Sequence, residues 1–200
     1  PVGLGADLSI HSTTKYMDGH NATVGGAVVA RTKEQHDAVR FILNATGVIM
    51  SPQVAWLTLQ GCKTLSVRLE RQSANAMAIA RFLESHPKVT KVCYPGLESF
   101  AQHALARRQA SGFGAMVWFE VQGGLAAGKR LMDSVTLWSL AENLGSVESL
   151  VTHPVTMTHA DVDAAERKRV GITDGLVRLS VGLEDAEDLI DALKKALERV

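Results

Sequence analysis

Residues 7–20 read DLSIHSTTKYMDGH, a stretch in which hydroxyl groups stand beside a lysine. Ser12 and Thr14 are two residues apart, so in an extended segment their side chains point to the same side. Backbone N–H groups of such a loop can join the two hydroxyls around an anion. Gly19 lets the chain turn closely past Lys15. The pattern therefore predicts a phosphate site next to an amine.

Two interpretations of Lys15 stay open on these residues alone. In the first, the amine loses its proton and forms a Schiff base with the aldehyde of pyridoxal 5′-phosphate, whose ring then acts as an electron sink. In the second, Lys15 is an exposed lysine in a polar loop, because Ser-Thr-Thr-Lys alone is a weak pattern.

The complete stretch closely resembles the lysine signature of the Cys/Met-metabolism pyridoxal-phosphate enzymes. That signature places acidic and apolar residues before Ser-x-Thr-Lys-Tyr-x-x-Gly-His. The likeness continues, over essentially all 200 residues, through Tyr94–Leu97, Gln102–His103, Ser111–Gly114, Ala141–Leu150, His153–Pro154 and Met157–His159. The resemblance implies that Lys15 forms the internal aldimine and that Ser12 and Thr14 bind the cofactor phosphate.

The order of apolar patterns predicts an α/β fold, since strands alternate with helices over long connections. A small-residue run at 24–30 is typical of a strand in a sheet buried on both faces. The amphipathic stretch 52–85 predicts one long helix, or two that meet at Gly61. The family resemblance implies a division into two domains. Residues 1–66 would be the C-terminal part of the cofactor-binding large domain of a fold type I (aspartate aminotransferase-like) transferase, and residues 67–200 would form its α/β small domain.

Arg178 stands inside an apolar strand pattern, Leu176–Gly182. A buried arginine needs a partner, and its planar fork suits a carboxylate. From the residues alone, the partner is either an internal Asp or Glu or a ligand. The resemblance implies that Arg178 binds the α-carboxylate of an amino-acid substrate.

Two residues of the stretch 141–150 are further substrate-binding candidates. Glu142 resembles the acidic residue that, in γ-lyases and γ-synthases, would meet the distal amino group of cystathionine, although a solvated surface glutamate is an equal alternative. Asn143 departs from the serine that the family usually has. An amide still donates and accepts hydrogen bonds, but its specific role is open.

Composition narrows the kinds of partner. Lys plus Arg and Asp plus Glu both number 21, so the formal net charge is zero. This balance argues against a nucleic-acid or membrane-surface partner. No apolar run is long enough for a membrane span, and no signal peptide is visible, so a cytoplasmic location is predicted. The two cysteines, Cys62 and Cys93, favour buried or half-buried free thiols.

Other chemistries lack their motifs. His153 and His159 have no cysteine or carboxylate at ligand spacing, so no metal site is predicted. Neither a G-x-G-x-x-G nor a G-x-x-x-x-G-K sequence occurs.

The length and the first residue favour a segment of a longer enzyme. The chain opens with Pro1, and enzymes of the resembled family are roughly twice as long and tetrameric. Their other half supplies a ring-stacking tyrosine and an acidic partner for the pyridine nitrogen. In the first hypothesis, the chain is a piece of an enzyme that carries out γ-elimination or γ-replacement, of the cystathionine γ-lyase or γ-synthase type. Methionine γ-lyase, cystathionine β-lyase and homoserine-ester sulfhydrylase are the alternatives within the family. In the second hypothesis, the chain is a non-catalytic remnant that acts only in assembly.

Overall fold

The computed structural model describes all 200 residues. They divide into two compact units, Pro1–Leu65 and Ser66–Val200, which are described separately below. The division between the two units thus lies next to residue 66, where the sequence predicts a domain boundary. That these units are the ends of a large and a small domain stays a prediction.

The first unit contains a two-stranded sheet around the lysine segment. Strand β1 (Leu8–Ser12) pairs antiparallel with β2 (Gly26–Ala30), with Ser12 opposite Gly26. A π-helical turn, Thr13–Met17, directly follows β1, and a 3-10 turn at Val2–Leu4 precedes it. The lysine segment therefore begins at the end of a strand and returns along its neighbour.

Two helices complete the first unit. Helix α1 (Lys33–Thr46) begins at a capping box, in which the Thr32 hydroxyl accepts from the Gln35 backbone and the Gln35 side chain accepts from the Thr32 backbone. Helix α2 (Pro52–Cys62) begins with Ser51 as its cap and proline at its first position. Since α3 begins at Leu65, the stretch 52–85 forms two helices. The break lies just after Gly61.

The second unit is built on a five-stranded mixed sheet of order β3-β4-β7-β6-β5. Neighbouring strands are antiparallel except for β5 and β6. The strands are β3 (Val89–Cys93), β4 (Met116–Val121), β5 (Ser139–Leu140), β6 (Leu150–Thr152) and β7 (Leu176–Ser180). The helices are α3 (Leu65–Glu84), α4 (His103–Gln109), α5 (Gly124–Ser134), α6 (Ala164–Arg169) and α7 (Ala186–Glu198), with a 3-10 turn at Pro154–Thr156.

The core of the second unit lies between the sheet and α3, α5 and α7. On β4, alternate residues are buried, as expected when a strand turns one face to helices. On α7, Leu189, Leu193 and Leu197 repeat every four residues and are fully buried. The central strand β7 carries Arg178 between neighbours on both sides.

Two expectations about burial are wrong. Strand β2 does not lie in a doubly covered sheet, because Val28 and Val29 are 43% and 47% exposed and its only partner is β1. Cys62 is exposed at the end of α2, whereas Cys93 is half-buried. Burial raises the pKa of the Cys93 thiol, and the nearby Lys91 charge opposes this rise.

Candidate active site

The segment that carries Lys15 is a tight turn. Its backbone is helical on either side, but Lys15 itself departs from helical angles at φ −92° and ψ −130°. The Asp18 N–H donates to the Thr13 carbonyl at 3.0 Å, and the Gly19 N–H donates to the Lys15 carbonyl at 2.9 Å. The expectation of an extended segment is therefore wrong, since these bonds close the chain around the half-buried lysine.

The two predicted phosphate ligands differ in how free their hydroxyls are. Ser12 is exposed, and its hydroxyl makes no hydrogen bond within the chain. The Thr14 hydroxyl accepts from the Gly25 N–H at 3.0 Å and donates to the Gly25 carbonyl at 3.3 Å. Ser12 is thus available to an anion as it stands, whereas Thr14 would exchange one of these bonds. Their roles as phosphate ligands stay predictions.

Two further polar residues support the lysine turn. Thr13 is buried, and its hydroxyl has no hydrogen-bond partner. Asp18 is also buried, and its carboxylate accepts from the Ala22 and Thr23 N–H groups at 2.9 and 3.3 Å. Neither residue has a role that follows from the sequence alone. The available signal for Asp18 was an acidic residue beside Gly19, which has φ 69°.

The donor set of this turn fits a ligand that carries both a phosphate and an aldehyde. Ser12 offers a hydroxyl for the phosphate, and Lys15 offers a primary amine for the carbonyl carbon. Pyridoxal 5′-phosphate has both groups. The residues present therefore fit this cofactor, although the ring-stacking and ring-nitrogen partners are not placed in this chain.

The candidate substrate residue Arg178 lies in the middle of β7. Its strand neighbours are Trp118 on β4 and Thr152 on β6. The Arg178 Nη2 donates to the Asn143 carbonyl at 3.2 Å and to the Thr152 hydroxyl at 3.1 Å. Because Arg178 forms no ion pair with an acidic residue of the chain, the internal salt bridge considered above is absent.

The surroundings of Arg178 are partly apolar. A cavity of about 240 Å³ is lined by Arg178 together with Trp118, Thr158 and His159, among others. Burial lowers the pKa of Arg178, and the negative charge of Glu142 opposes that shift. The guanidinium stays a cation, and the desolvated site favours an anionic ligand.

Asn143 and Glu142 meet this site differently from one another. Asn143 contacts Arg178 through its backbone carbonyl, so the contact does not depend on the serine-to-asparagine departure. Glu142 is exposed, and its effect on Arg178 is one of charge. Substrate-binding roles for both side chains stay predictions.

The described residues hold neither a cluster of metal ligands nor a helix suited to a membrane. No group of three or more histidine, cysteine or carboxylate side chains lies close enough together to hold a metal ion. No helix has the length and apolar character that crossing a bilayer requires.

The mixed α/β fold and the lysine turn agree with the class expected from the sequence, the fold type I pyridoxal-phosphate enzymes. The family model described as "Cys/Met metabolism PLP-dependent enzyme" matches residues 1–198. The chain therefore belongs to the Cys/Met-metabolism family of pyridoxal-phosphate-dependent enzymes.

Named relatives agree with this family and span several reactions. The chain is 46% identical to L-methionine gamma-lyase of Fusobacterium nucleatum subsp. polymorphum, over 100% of this chain and 51% of that protein. It is 45% identical to cystathionine gamma-lyase of Bacillus subtilis (strain 168), over 100% of this chain and 52% of that protein. The crystal structure of cystathionine gamma synthase from Xanthomonas oryzae pv. oryzae, in complex with cystathionine, matches with a TM-score of 0.95 and 51% identity. This match covers 100% of the present chain and 51% of the chain in the crystal structure.

The chain thus spans about half the length of the curated relatives it matches. Because relatives with different reactions match at similar identity, overall likeness does not choose among the reactions.

Proposed function

We propose that this chain belongs to an enzyme that carries out γ-elimination or γ-replacement on a sulfur-containing or homoserine-derived amino acid, as a cystathionine γ-lyase or γ-synthase does. The observation that carries the proposal is the setting of Arg178. A desolvated guanidinium without an acidic partner lines a cavity and feels the charge of Glu142. A cation next to an acidic side chain complements an amino acid that carries a carboxylate and a second, distal ammonium group.

Arg178 would bind the substrate α-carboxylate. Asn143 and Thr152 use Nη2, so the N–H groups of Nη1 and Nε remain to donate to the carboxylate oxygens. A charge-assisted bond of this kind is about twice as strong as a neutral one and orients the substrate. Orientation matters here because the reaction requires the Cα–H bond to face the base.

Lys15 would hold the cofactor and move protons. Pyridoxal phosphate, when bound, supplies an electron sink for negative charge at the substrate Cα. The Lys15 amine would take the proton from the substrate Cα and deliver a proton elsewhere on the substrate. Ser12 and Thr14 would hold the phosphate and so fix the ring relative to Lys15.

Glu142 favours cystathionine over methionine as the ligand. Its exposed carboxylate would pair with the distal ammonium of cystathionine, which methionine lacks. Methionine γ-lyase, cystathionine β-lyase and homoserine-ester sulfhydrylase activities are the alternatives. A remnant that acts only in assembly is the alternative outside catalysis. A homotetramer in the cytoplasm is proposed on family likeness.

The first experiment is a visible spectrum of the complete protein with added pyridoxal phosphate, for wild type and Lys15→Ala. A band near ~420 nm that borohydride fixes onto Lys15 is expected for wild type only. A wild type without this band would favour the non-catalytic remnant.

Substrate choice is tested by comparing cystathionine, methionine and homoserine esters with wild type and Glu142→Gln. The substitution should raise KM for cystathionine by ~2- to 5-fold and leave KM for methionine unchanged, since an exposed ion pair contributes up to ~1 kcal/mol. Glu98→Gln, at another exposed glutamate, is the matched control. Equal effects on both substrates would remove the proposed role of Glu142.

A further inference from the structure

Helix α2 approaches the backbone of the lysine turn most tightly at the buried Gly61. A Cβ atom placed on Gly61 would lie 2.2 Å from the Asp18 carbonyl oxygen and 2.4 Å from the Met17 carbonyl oxygen. Carbon–oxygen distances below 3.0 Å do not occur in real contacts of this kind. No side chain other than hydrogen therefore fits between α2 and this backbone.

The clashing atoms are backbone atoms, and this decides what has to move. A flexible side chain could rotate away, but the carbonyls of Met17 and Asp18 can retreat only if the turn itself shifts. Alanine is also a better helix former than glycine, so helix propensity alone would favour it at position 61. Any loss caused by alanine there would come from the contact with the turn.

A shift of this backbone would reach Lys15. The Gly19 N–H donates to the Lys15 carbonyl, and the Asp18 N–H donates to the Thr13 carbonyl, so these bonds span the lysine. On its far side, the turn is held to Gly25 through the Thr14 hydroxyl. Thr14 is held by Gly25, whereas a side chain at position 61 would push the backbone of Met17 and Asp18. The displacement therefore falls on the residues between these points, which include Lys15.

We propose that Gly61 is a positioning residue for Lys15: its missing side chain lets α2 support the turn from behind and fixes where the lysine amine lies. Gly61 does not touch the cofactor or substrate in this proposal. The inference rests on the proposed function, because it assumes that Lys15 forms the covalent bond to pyridoxal phosphate.

The test separates cofactor binding from covalent attachment in the complete protein. The variants are Gly61→Ala, Lys15→Ala as the reference for binding without attachment, and Gly128→Ala as a matched control. Gly128 is a buried glycine of α5 whose added Cβ would lie 2.4 Å from the His153 ring, far along the chain from Lys15. It therefore reports what overpacking at a helical glycine does in general.

Two quantities are measured. Equilibrium dialysis with pyridoxal phosphate gives the affinity, and mass spectrometry after borohydride quenching gives the rate at which Lys15 becomes labelled. Gly61→Ala should bind the cofactor as well as Lys15→Ala does, yet label Lys15 ~10- to 100-fold more slowly than wild type, as expected for a displacement of about 1 Å. Gly128→Ala should label Lys15 at the wild-type rate, even if its Tm falls.

Each outcome decides the inference. Labelling of Gly61→Ala at the wild-type rate would overturn it, and so would equal slowing in Gly128→Ala, which would show a general loss of stability. A wild type that labels no Lys15 would instead overturn the proposed function and the inference with it.

If Gly61→Ala does not accumulate as folded protein, Thr58→Ala is measured in its place. Thr58 is buried one turn earlier on α2, and its hydroxyl lies 3.5 Å from that of Thr23, just after the lysine turn. Loosening this neighbouring contact should slow labelling of Lys15 by a smaller factor, ~3-fold. An unchanged labelling rate would then reject the positioning role.

Discussion

The guanidinium of Arg178 uses some of its N–H groups for hydrogen bonds within the protein and leaves others for a ligand. Both Nη2 protons are used, one by the Asn143 carbonyl and one by the Thr152 hydroxyl. The Nε–H is buried without a partner, and Arg178 lines the cavity, so donors of the guanidinium other than Nη2 remain for a ligand. The two internal bonds therefore hold the guanidinium plane in place before a substrate arrives.

Replacing Arg178 by lysine should separate charge from geometry. Lysine keeps the positive charge but loses the planar group that Asn143 and Thr152 orient. We expect KM for the amino-acid substrate to rise by ~10- to 100-fold, which corresponds to one or two charge-assisted hydrogen bonds, with a smaller change in kcat.

Steady-state kinetics of Arg178→Lys would be compared with those of Arg169→Lys, whose guanidinium forms an exposed pair with Glu166. An unchanged KM in Arg178→Lys would exclude the carboxylate role. An equal rise in Arg169→Lys would show that the effect is not local.

The site residues that sequence could predict are those with unusual chemistry for their surroundings. Lys15 stands in a specific string, and Arg178 stands in an apolar strand pattern. Gly61 could not be connected with the lysine in the same way, because the contact joins residues more than 40 positions apart. Sequence marks Gly61 only as a weak point in a helix, whereas the structure shows what its missing side chain permits.

At the scale of elements, α3 secures two loops of the second unit through buried amides. Gln72 Nε2 donates to the Ser146 carbonyl at 2.7 Å. Asn75 Nδ2 donates to the carbonyls of Gly182 and Glu184 at 3.1 and 2.8 Å. The first contact fixes the loop that carries Asn143, and the second fixes the chain where it leaves β7.

Replacing Asn75 by alanine should lower the free energy of unfolding by ~1–3 kcal/mol, because the buried Gly182 carbonyl and the half-buried Glu184 carbonyl would lose their donor. Urea denaturation of the complete protein measures this change. Asn44→Ala, at an exposed asparagine of α1, is the control and should differ from wild type by less than ~0.5 kcal/mol. Equal stability of the two variants would contradict the anchoring role of Asn75.

The end of α3 predicts a pH dependence of stability. Burial lowers the pKa of His86, and the positive charge of Lys88 lowers it further. The imidazole Nδ1 also accepts from the Lys88 N–H at 3.2 Å, which requires this nitrogen to be unprotonated. The unfolded chain therefore takes up a proton on His86 more readily than the folded chain does. The contribution of His86 to the free energy of unfolding is fully present above pH ~6.5, and it is lost as the pH falls through the lower pKa of the folded state.

Thermal unfolding at pH 7 and pH 5 tests this expectation with wild type and His86→Asn. Asparagine keeps an acceptor for the Lys88 N–H but does not titrate. The wild type should lose more Tm than the variant on acidification, and an equal loss in both would show that His86 does not contribute.

Whether an element could be predicted depended on its length and on how regularly it is buried. Strand β4 and helix α7 show their periods clearly because each turns one face to the core. Strand β6 has three residues, all buried, so it offers no alternation, and it was not predicted. The sequence pattern of residues 136–140 predicts a strand, but strand β5 covers only Ser139–Leu140.

At the scale of the whole molecule, buried apolar residues are unevenly distributed. All apolar residues that are fully or nearly fully buried lie between Ala76 and Leu197. The first 65 residues instead hold most of the large exposed apolar side chains, including Ile10 at 78%, Phe41 at 74% and Val48 at 70% exposure. Burial of apolar area is the main favourable contribution to folding, so the two units differ in their capacity to fold independently.

We therefore expect residues 66–200 to fold as an isolated fragment and residues 1–65 not to do so. The longer fragment contains the sheet and nearly all of the helices that cover it, so it should unfold cooperatively in urea and show dispersed amide NMR signals. The shorter one has a two-stranded sheet and two helices with little to bury, and two strands alone are marginally stable in water. It should show little helical signal in circular dichroism and no cooperative transition. Within the longer fragment, Leu193→Ala should lower the free energy of unfolding by ~2–5 kcal/mol, because Leu193 is fully buried. A longer fragment without a cooperative transition would contradict the domain boundary near residue 66, and a shorter one with such a transition would contradict the expectation that residues 1–65 do not fold alone.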